Sequence, residues 1–323
     1  MALVMANLTE DPIYPEKPKE PEEIKDYKKV LLVYNPFSGN GVFASHLDHI
    51  IDRFQEAGRV VRPVRGAKSK ALEYVFQTIH TEDYSQVIIA GGDGTINLVV
   101  NLMIKYNIEL PISIFPAGTA NDFAYYLEIP SDIDKMIDIA LGDKYTYADV
   151  ACCNGRYYVN VAAMGTMVDV SQKTDPNLKD KLGVLAYYMA GAQELTNLKP
   201  LPVRLIADND VYDEDMYFML VMNGCSAGGF KHLSPDSDIS DGLLDVLLFR
   251  DMPFYEMVRL FFMLLQGQHK DDKNVLHFKT SNLVIESDAT FGTDVDGETG
   301  EKLPLHFSVL HRRLKITTKE NDI

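Results

Sequence analysis

Three apolar runs in the first half of the chain each end in a polar turn rich in glycine, and this repeated pairing limits the fold more than any other feature. The runs are Lys29-Val30-Leu31-Leu32-Val33-Tyr34, Val87-Ile88-Ile89-Ala90 and Ile112-Ser113-Ile114-Phe115. The turns after them are Asn35-Pro36-Phe37-Ser38-Gly39-Asn40-Gly41, Gly91-Gly92-Asp93-Gly94-Thr95 and Pro116-Ala117-Gly118-Thr119-Ala120-Asn121-Asp122. A short unbroken run of β-branched and aliphatic residues is what a parallel strand covered on both faces requires. Between the runs the spacing turns helical. Leu47, Ile50, Ile51 and Phe54 share a face before Gly58, and further helices are predicted over 70–80 and 96–106. Such alternation predicts an open, mostly parallel α/β sheet. Ligands bind these sheets beyond the carboxyl ends of the strands, so the three turns are expected to converge on one cleft.

After about residue 147 the pattern changes to strands and tight turns. Strands are predicted at 149–153 and 157–162 around Asn154-Gly155, a hairpin signal because both residues tolerate positive φ. Others are expected at 203–207, 216–222, 243–249, 283–287 and 306–310, with helical stretches at 185–198 and 254–265. At 323 residues the chain exceeds the usual size of one core. The expected division is a flexible, acidic, proline-rich tail over 1–27, an α/β nucleotide-binding domain over 28–147, to which 319–323 are a candidate addition, and a mostly β domain over 148–318. The stretch at 254–265 is apolar enough to raise a membrane-contact reading, although an apolar helical stripe ordinarily packs on its own sheet.

A net charge of -16 argues against nucleic acid as a partner, because binding a phosphate backbone needs a basic surface. It also opposes anionic membranes, so a lipid-directed activity needs a local basic or apolar patch. Cys152, Cys153 and Cys225 do not form a disulfide framework, and the sequence shows neither a secretory signal nor ~20 consecutive apolar residues. The expectation is a cytoplasmic protein, soluble or peripheral at the inner membrane face.

In the second turn, glycines let backbone N–H groups approach phosphate oxygens, and the helix that follows adds its N-terminal dipole. Asp93 suits such a site if a magnesium ion lies between carboxylate and phosphate. One such turn alone also fits an ordinary strand-to-helix connection with Asp93 or Thr95 as cap; three together favour a ligand. Neither G-x-x-x-x-G-K-[ST] nor G-x-G-x-x-G occurs. Gly224-Cys225-Ser226-Ala227-Gly228 matches a hydrolase nucleophile elbow, but no helical pattern continues from it. His46 and His49 lack a third metal ligand. The acidic stretch Asp236-Ser237-Asp238-Ile239-Ser240-Asp241-Gly242-Leu243 fits a hard-cation site or an exposed polar turn.

Taken together, Asn35-Pro36-x-Ser38-Gly39, Gly91-Gly92-Asp93-Gly94-Thr95-x-Asn97, Pro116-x-Gly118-Thr119-x-Asn121-Asp122-Phe123 and Val295-Asp296-Gly297-Glu298 resemble the diacylglycerol kinase catalytic-domain family. The likeness is to its soluble bacterial lipid-kinase branch, related to sphingosine kinases and distantly to NAD kinases. The resemblance implies an α/β domain followed by a β-sandwich, with ATP and Mg2+ in the cleft between them. It implies nucleotide contacts at Asn35, Pro36, Phe37, Ser38, Gly39, Gly91, Gly92, Asp93, Gly94, Thr95, Ile96, Asn97, Thr119 and Asp122. It makes Asp296 the catalytic base, with Asp294 the neighbouring competitor. It places a structural magnesium or calcium on the Asp241 side chain and the main-chain carbonyls of Asp238 and Leu243, with Asp122 and Asp149 linking that metal to the nucleotide through water. The implied acceptor is a lipid primary alcohol such as diacylglycerol, met at a membrane surface; a homodimer is compatible. The alternatives are an NAD kinase-like enzyme and a non-catalytic binding protein. Three positions depart from the family: Asn40 replaces a basic residue, Leu98 a glutamate and Tyr125 an arginine.

Overall fold

The computed structural model describes residues 28–66, 69–166, 168, 199–226, 230 and 233–319. The tail expected over 1–27 and the helix expected over 185–198 lie outside them.

Strands β1 (Lys29–Tyr34), β2 (Val60–Arg65), β3 (Tyr84–Gly91) and β4 (Ile112–Pro116) pair in parallel in the order β2-β1-β3-β4. Around them lie helices α1 (Leu47–Glu56), α2 (Lys70–Thr78), α3 (Asp93–Lys105), α4 (Asp122–Tyr126) and α5 (Ile133–Leu141). Alternate residues of β1 separate the two faces. Leu31 and Val33 share a core with Leu72 and Phe76 of α2 and Ile96 and Val100 of α3. Val30 and Leu32 pack with Ile50 and Phe54 of α1 and Ile137 of α5. The four aliphatic residues of β1, Val30, Leu31, Leu32 and Val33, are fully removed from water, each worth roughly 1.5–3 kcal/mol before the entropy of ordering is set against it.

Strand β2 has no counterpart in the sequence reading. None of its residues is buried, and it contains Pro63. Only an edge strand tolerates a residue that cannot donate to the ladder, and β2 is that edge.

The rest of the described chain is antiparallel. It comprises β5 (Tyr145–Cys153), β6 (Arg156–Tyr158), β7 (Val161–Gly165), β8 (Leu201–Ala207), β9 (Asp210–Met222), β10 (Leu244–Arg250), β11 (Val275–Thr280), β12 (Asn282–Glu286), β13 (Thr293–Val295), β14 (Glu298–Thr299) and β15 (Leu305–Thr317). The path runs β14-β13-β7-β9-β8-β12-β15, with β10 against β9 and β5 against β15. Asn154 and Gly155, at φ 48° and 86°, form the two-residue turn between β5 and β6, as their sequence predicts.

Long β15 joins the two units. It pairs with β12 and β5, and Ile316 meets Ile112 of β4 in parallel. Leu314 and Ile316 are buried in the first α/β core with Ala148 and Val150, so the chain rejoins its first unit ahead of residues 319–323.

Helix α6 (Phe254–Leu265) covers the β9–β10 face through Leu260, Met257 and Leu264. Its other side leaves Phe254, Tyr255, Val258, Phe262 and Leu265 exposed. At ~100° per residue these five fall on one stripe about 100° wide.

Candidate active site

The three glycine-rich turns do converge. A Cβ on Gly118 would lie 2.5 Å from Gly92 Cα, so the second and third turns touch backbone to backbone. Gly39, at φ 53°, faces the Ala117 carbonyl too closely for any side chain, which seats the first turn on the third. Asn121, in the left-handed region at φ 52°, closes the third turn on itself. Its Oδ1 accepts from Gly118 N at 2.8 Å and its Nδ2 donates to Gly118 O at 2.9 Å. Asn35 Oδ1 accepts from Phe37 N at 3.0 Å, leaving the Phe37 ring 85% exposed at the rim. Pro36 and Ser38 are half-buried beside it, and Thr119 is exposed.

Within Gly91-Gly92-Asp93-Gly94-Thr95 the glycines differ. Gly91 leaves room for the buried Thr95, whose Oγ1 would be 2.5 Å from an added Cβ, and Gly92 faces Gly118. Gly94 faces nothing within 4 Å. It stands exposed in the first turn of α3, where backbone donors lack helical partners. Ile96 is buried in the core, so its side chain is unavailable to a ligand.

Asp93 has a second task that its sequence position does not announce. Its carboxylate accepts from Asp122 N at 3.2 Å and Phe123 N at 3.1 Å, capping α4 from a distant part of the chain. It also accepts from Asn160 Nδ2 at 3.2 Å. Oδ2 has one of these three donors and retains capacity for a water or ion.

Asp296 and Gly297, at φ 49° and 84°, form the two-residue turn between β13 and β14. Asp294 braces this turn by accepting from Gly297 N at 2.8 Å. Arg156 grips the hairpin through Thr299 O, Glu298 Oε2 and Val295 O. The Asp296 carboxylate receives four donors: Val159 N (2.9 Å) and Asn97 Nδ2 (2.8 Å) on Oδ2, Val161 N (2.9 Å) and Asn160 N (3.2 Å) on Oδ1.

This arrangement explains why the single strand predicted over 157–162 is two. The chain leaves the ladder at Val159 and Asn160, where the N–H groups turn to the carboxylate. Burial pushes the Asp296 carboxyl up to about 6, while the N–H groups of Val159 and Val161, the Asn97 amide and the Asn160 N–H pull the other way. Asn97 therefore serves the contact between the two units, not only the turn it follows. Asn101, one helical turn later, donates to Tyr157 O at 2.9 Å and extends the seam. Neither Asn101 nor Asn160 emerges from the sequence reading; the available signal is two asparagines at i and i+4 on an otherwise apolar helix.

Helix α4 carries the site toward the acidic stretch. Tyr126 OH donates to Ser237 O at 3.1 Å, and the Asp122 carbonyl accepts from Ser226 Oγ at 3.1 Å. Asp238 Oδ1 accepts from Ser240 N and Oγ, whereas Asp241 accepts from Leu243 N on Oδ1 and from Lys279 Nζ on Oδ2, each at 2.9 Å. Fully buried Asp149 accepts from the N–H groups of Gly242 and Arg312. Among the described residues no three His, Cys, Asp or Glu side chains gather as a metal cluster. The expected set is of another kind, one carboxylate and two main-chain carbonyls, all hard oxygens that suit magnesium or calcium.

The competing motifs have other roles. Ser226 is buried and bonded to Asp122 O, and His49 Nε2 lies 2.8 Å from Asp134 Oδ1 on an exposed helix face. Leu98 packs on the first core, so an apolar neighbour takes the place of the expected carboxylate. Tyr125 is 40% exposed.

Residues 29–153 match the diacylglycerol kinase catalytic domain, and residues 160–318 match the YegS C-terminal NAD kinase beta sandwich-like domain. The chain belongs to the diacylglycerol kinase family. A diacylglycerol kinase of Bacillus subtilis (strain 168) is 31% identical over 290 residues, 90% of this chain and 96% of that protein. The diacylglycerol kinase of Staphylococcus aureus (strain JH9) is 31% identical over 297 residues, 92% of this chain and 94% of its own. A solved diacylglycerol kinase from Bacillus anthracis str. Sterne superposes with a TM-score of 0.74 at 24% identity, covering 91% of this chain and 98% of that one. The α/β unit followed by a β-sandwich is thus the diacylglycerol kinase family fold, and kinase chemistry is the family's activity. Among the described residues no helix is long and apolar enough to cross a membrane.

Proposed function

We propose that this protein transfers the γ-phosphate of ATP to the primary hydroxyl of a lipid, with diacylglycerol the first candidate. The observation that carries the reading is the position of Asp296, on the seam between the units, bonded to Asn97 on the helix that Gly91-Gly92-Asp93-Gly94-Thr95 opens. The open face of Gly94 and the N-terminus of α3 suit the approach of phosphate oxygens. Asp296 accepts the acceptor's proton as its oxygen attacks the γ-phosphorus in line and the bridge to the β-phosphate breaks, releasing ADP; at about 6 its carboxyl is ionised at neutral pH yet basic enough for the task. Because four donors already surround the carboxylate, the acceptor hydroxyl has to replace one of them. Asn97, the only one of the four from the first unit, is the natural donor to give way.

Magnesium, when bound with ATP, neutralises charge on the phosphates. Asp93 Oδ2 is the candidate to reach it, directly or through water. Asp241 with the carbonyls of Asp238 and Leu243 is the proposed structural cation site. The acceptor resides in a bilayer, so the proposal includes peripheral contact with a lipid surface. The exposed stripe of α6 supports this, since its five apolar side chains include no carboxylate to meet an anionic headgroup.

The test is incubation with γ-labelled ATP and magnesium in three separate arms: dispersed diacylglycerol, a total lipid extract, and NAD. Label in a lipid product is expected. Label in NAD alone would support the NAD kinase alternative, and ATP binding without transfer in any arm would support a binding protein.

A further inference from the structure

We infer that Asn160 is a positioning residue that sets Asp296 relative to the nucleotide turn. This rests on the kinase reading above. Asn160 is 6% exposed and lies in the break between β6 and β7. Its main-chain N–H donates to Asp296 Oδ1 at 3.2 Å, and its side-chain amide donates to Asp93 Oδ1, also at 3.2 Å. A single residue therefore holds the carboxylate assigned as base and the carboxylate of Gly91-Gly92-Asp93-Gly94-Thr95.

The rest of the residue is fixed as well. Asn160 O accepts from Asn223 N at 2.9 Å, and the Asn223 amide donates to Val159 O and Asp149 O. Asn223 is itself buried. With its backbone pinned on the β9 side, Asn160 cannot follow a displaced Asp93 without changing its hold on Asp296.

The backbone contacts account for the strand break and are open to any residue but proline. The side-chain contact is not. It requires a side-chain donor that reaches Asp93 Oδ1 from a backbone already bonded to Asp296, which the Asn160 amide supplies. Asp93 also caps α4 through Asp122 N and Phe123 N. Any shift of the third turn on nucleotide binding is therefore transmitted through Asp93 to Asn160 and on to the base.

Two substitutions separate this role from simple packing. Asn160→Ala removes the amide and leaves every main-chain bond. Asn160→Asp is isosteric and puts a third carboxylate beside the other two, which opposes ionisation of Asp296. With ATP and dispersed diacylglycerol, Asn160→Ala is expected to lower kcat by on the order of 100-fold, the effect of a misplaced catalytic group. Its calorimetric ATP affinity should stay within about threefold, a change of less than ~0.7 kcal/mol. Asn160→Asp is expected to move the acid limb of kcat/KM to higher pH.

Wild-type kcat in Asn160→Ala overturns the inference, as does equal loss of kcat and ATP affinity with an unmoved acid limb in Asn160→Asp. A wild-type protein that phosphorylates no acceptor overturns the kinase reading and the inference together, so the two failures are distinguishable.

Discussion

Asn97 Nδ2, on the helix that begins at Asp93, donates to Asp296 Oδ2 at 2.8 Å across 199 positions of sequence. It couples the turn proposed to meet phosphate to the carboxylate proposed as the base. Because Asn97 donates to the ionised form, its loss leaves burial less opposed and raises the Asp296 pKa further. The wild-type rate on lipid acceptor should be maximal above pH about 6 and fall roughly tenfold per unit below it, as the base becomes protonated. Asn97→Ala should displace that acid limb upward, which a pH series of kcat/KM measures directly. An unmoved limb would detach Asn97 from the ionisation of the base.

Two glycines in adjoining turns predict opposite phenotypes. Gly118→Ala forces a Cβ onto Gly92 Cα, and overpacking of this kind costs about 1–3 kcal/mol. Gly94→Ala meets nothing and removes a glycine from a helix, a gain of up to ~1 kcal/mol. Thermal unfolding should therefore show a lower Tm for Gly118→Ala and an equal or higher one for Gly94→Ala. Calorimetry should nevertheless show weaker ATP binding for Gly94→Ala, because the added methyl occupies the space proposed for phosphate.

The cation site proposed at the acidic stretch is open to a linkage test. A cation bound only by the folded protein stabilises it by RT ln(1 + [L]/Kd), about 2.7 kcal/mol at a hundredfold excess over Kd. Added magnesium or calcium should raise the wild-type Tm and leave Asp241→Ala unmoved. Equal response in both would remove Asp241 from the ligand set.

The α6 stripe bears on where the acceptor is met. Val258→Glu with Phe262→Glu places two charges on a face that is already exposed, so folding should be unaffected. Sedimentation with diacylglycerol-containing phosphatidylcholine vesicles should fall, while turnover of a detergent-dispersed short-chain diacylglycerol should remain. Unchanged vesicle binding would move the lipid contact elsewhere.

The strands that place the site are legible in the sequence because β1, β3 and β4 are unbroken apolar runs, each followed by its glycine-rich turn. Strand β2 is not, since an exposed edge needs no apolar run and tolerates Pro63. The division of the second unit's strands is hidden for a different reason. Val159 and Asn160 read as strand by composition, and only the distant Asp296 draws their N–H groups out of the ladder. Asp296 is ambiguous in the same way. Asp-Gly is an ordinary hairpin turn, and the structure shows that it is one; the family motif, not the local pattern, marks its carboxylate. The capping of α4 by Asp93 joins positions 29 and 30 residues apart, which no local signal encodes.

Asp296 is the residue on which the account stands, and Asp296→Asn tests it most directly. Lipid phosphorylation with γ-labelled ATP should drop by roughly 10²–10⁴-fold, the range for loss of a general base, while calorimetric ATP binding persists. Wild-type transfer to lipid by Asp296→Asn would contradict the assignment of the base and the mechanism built on it.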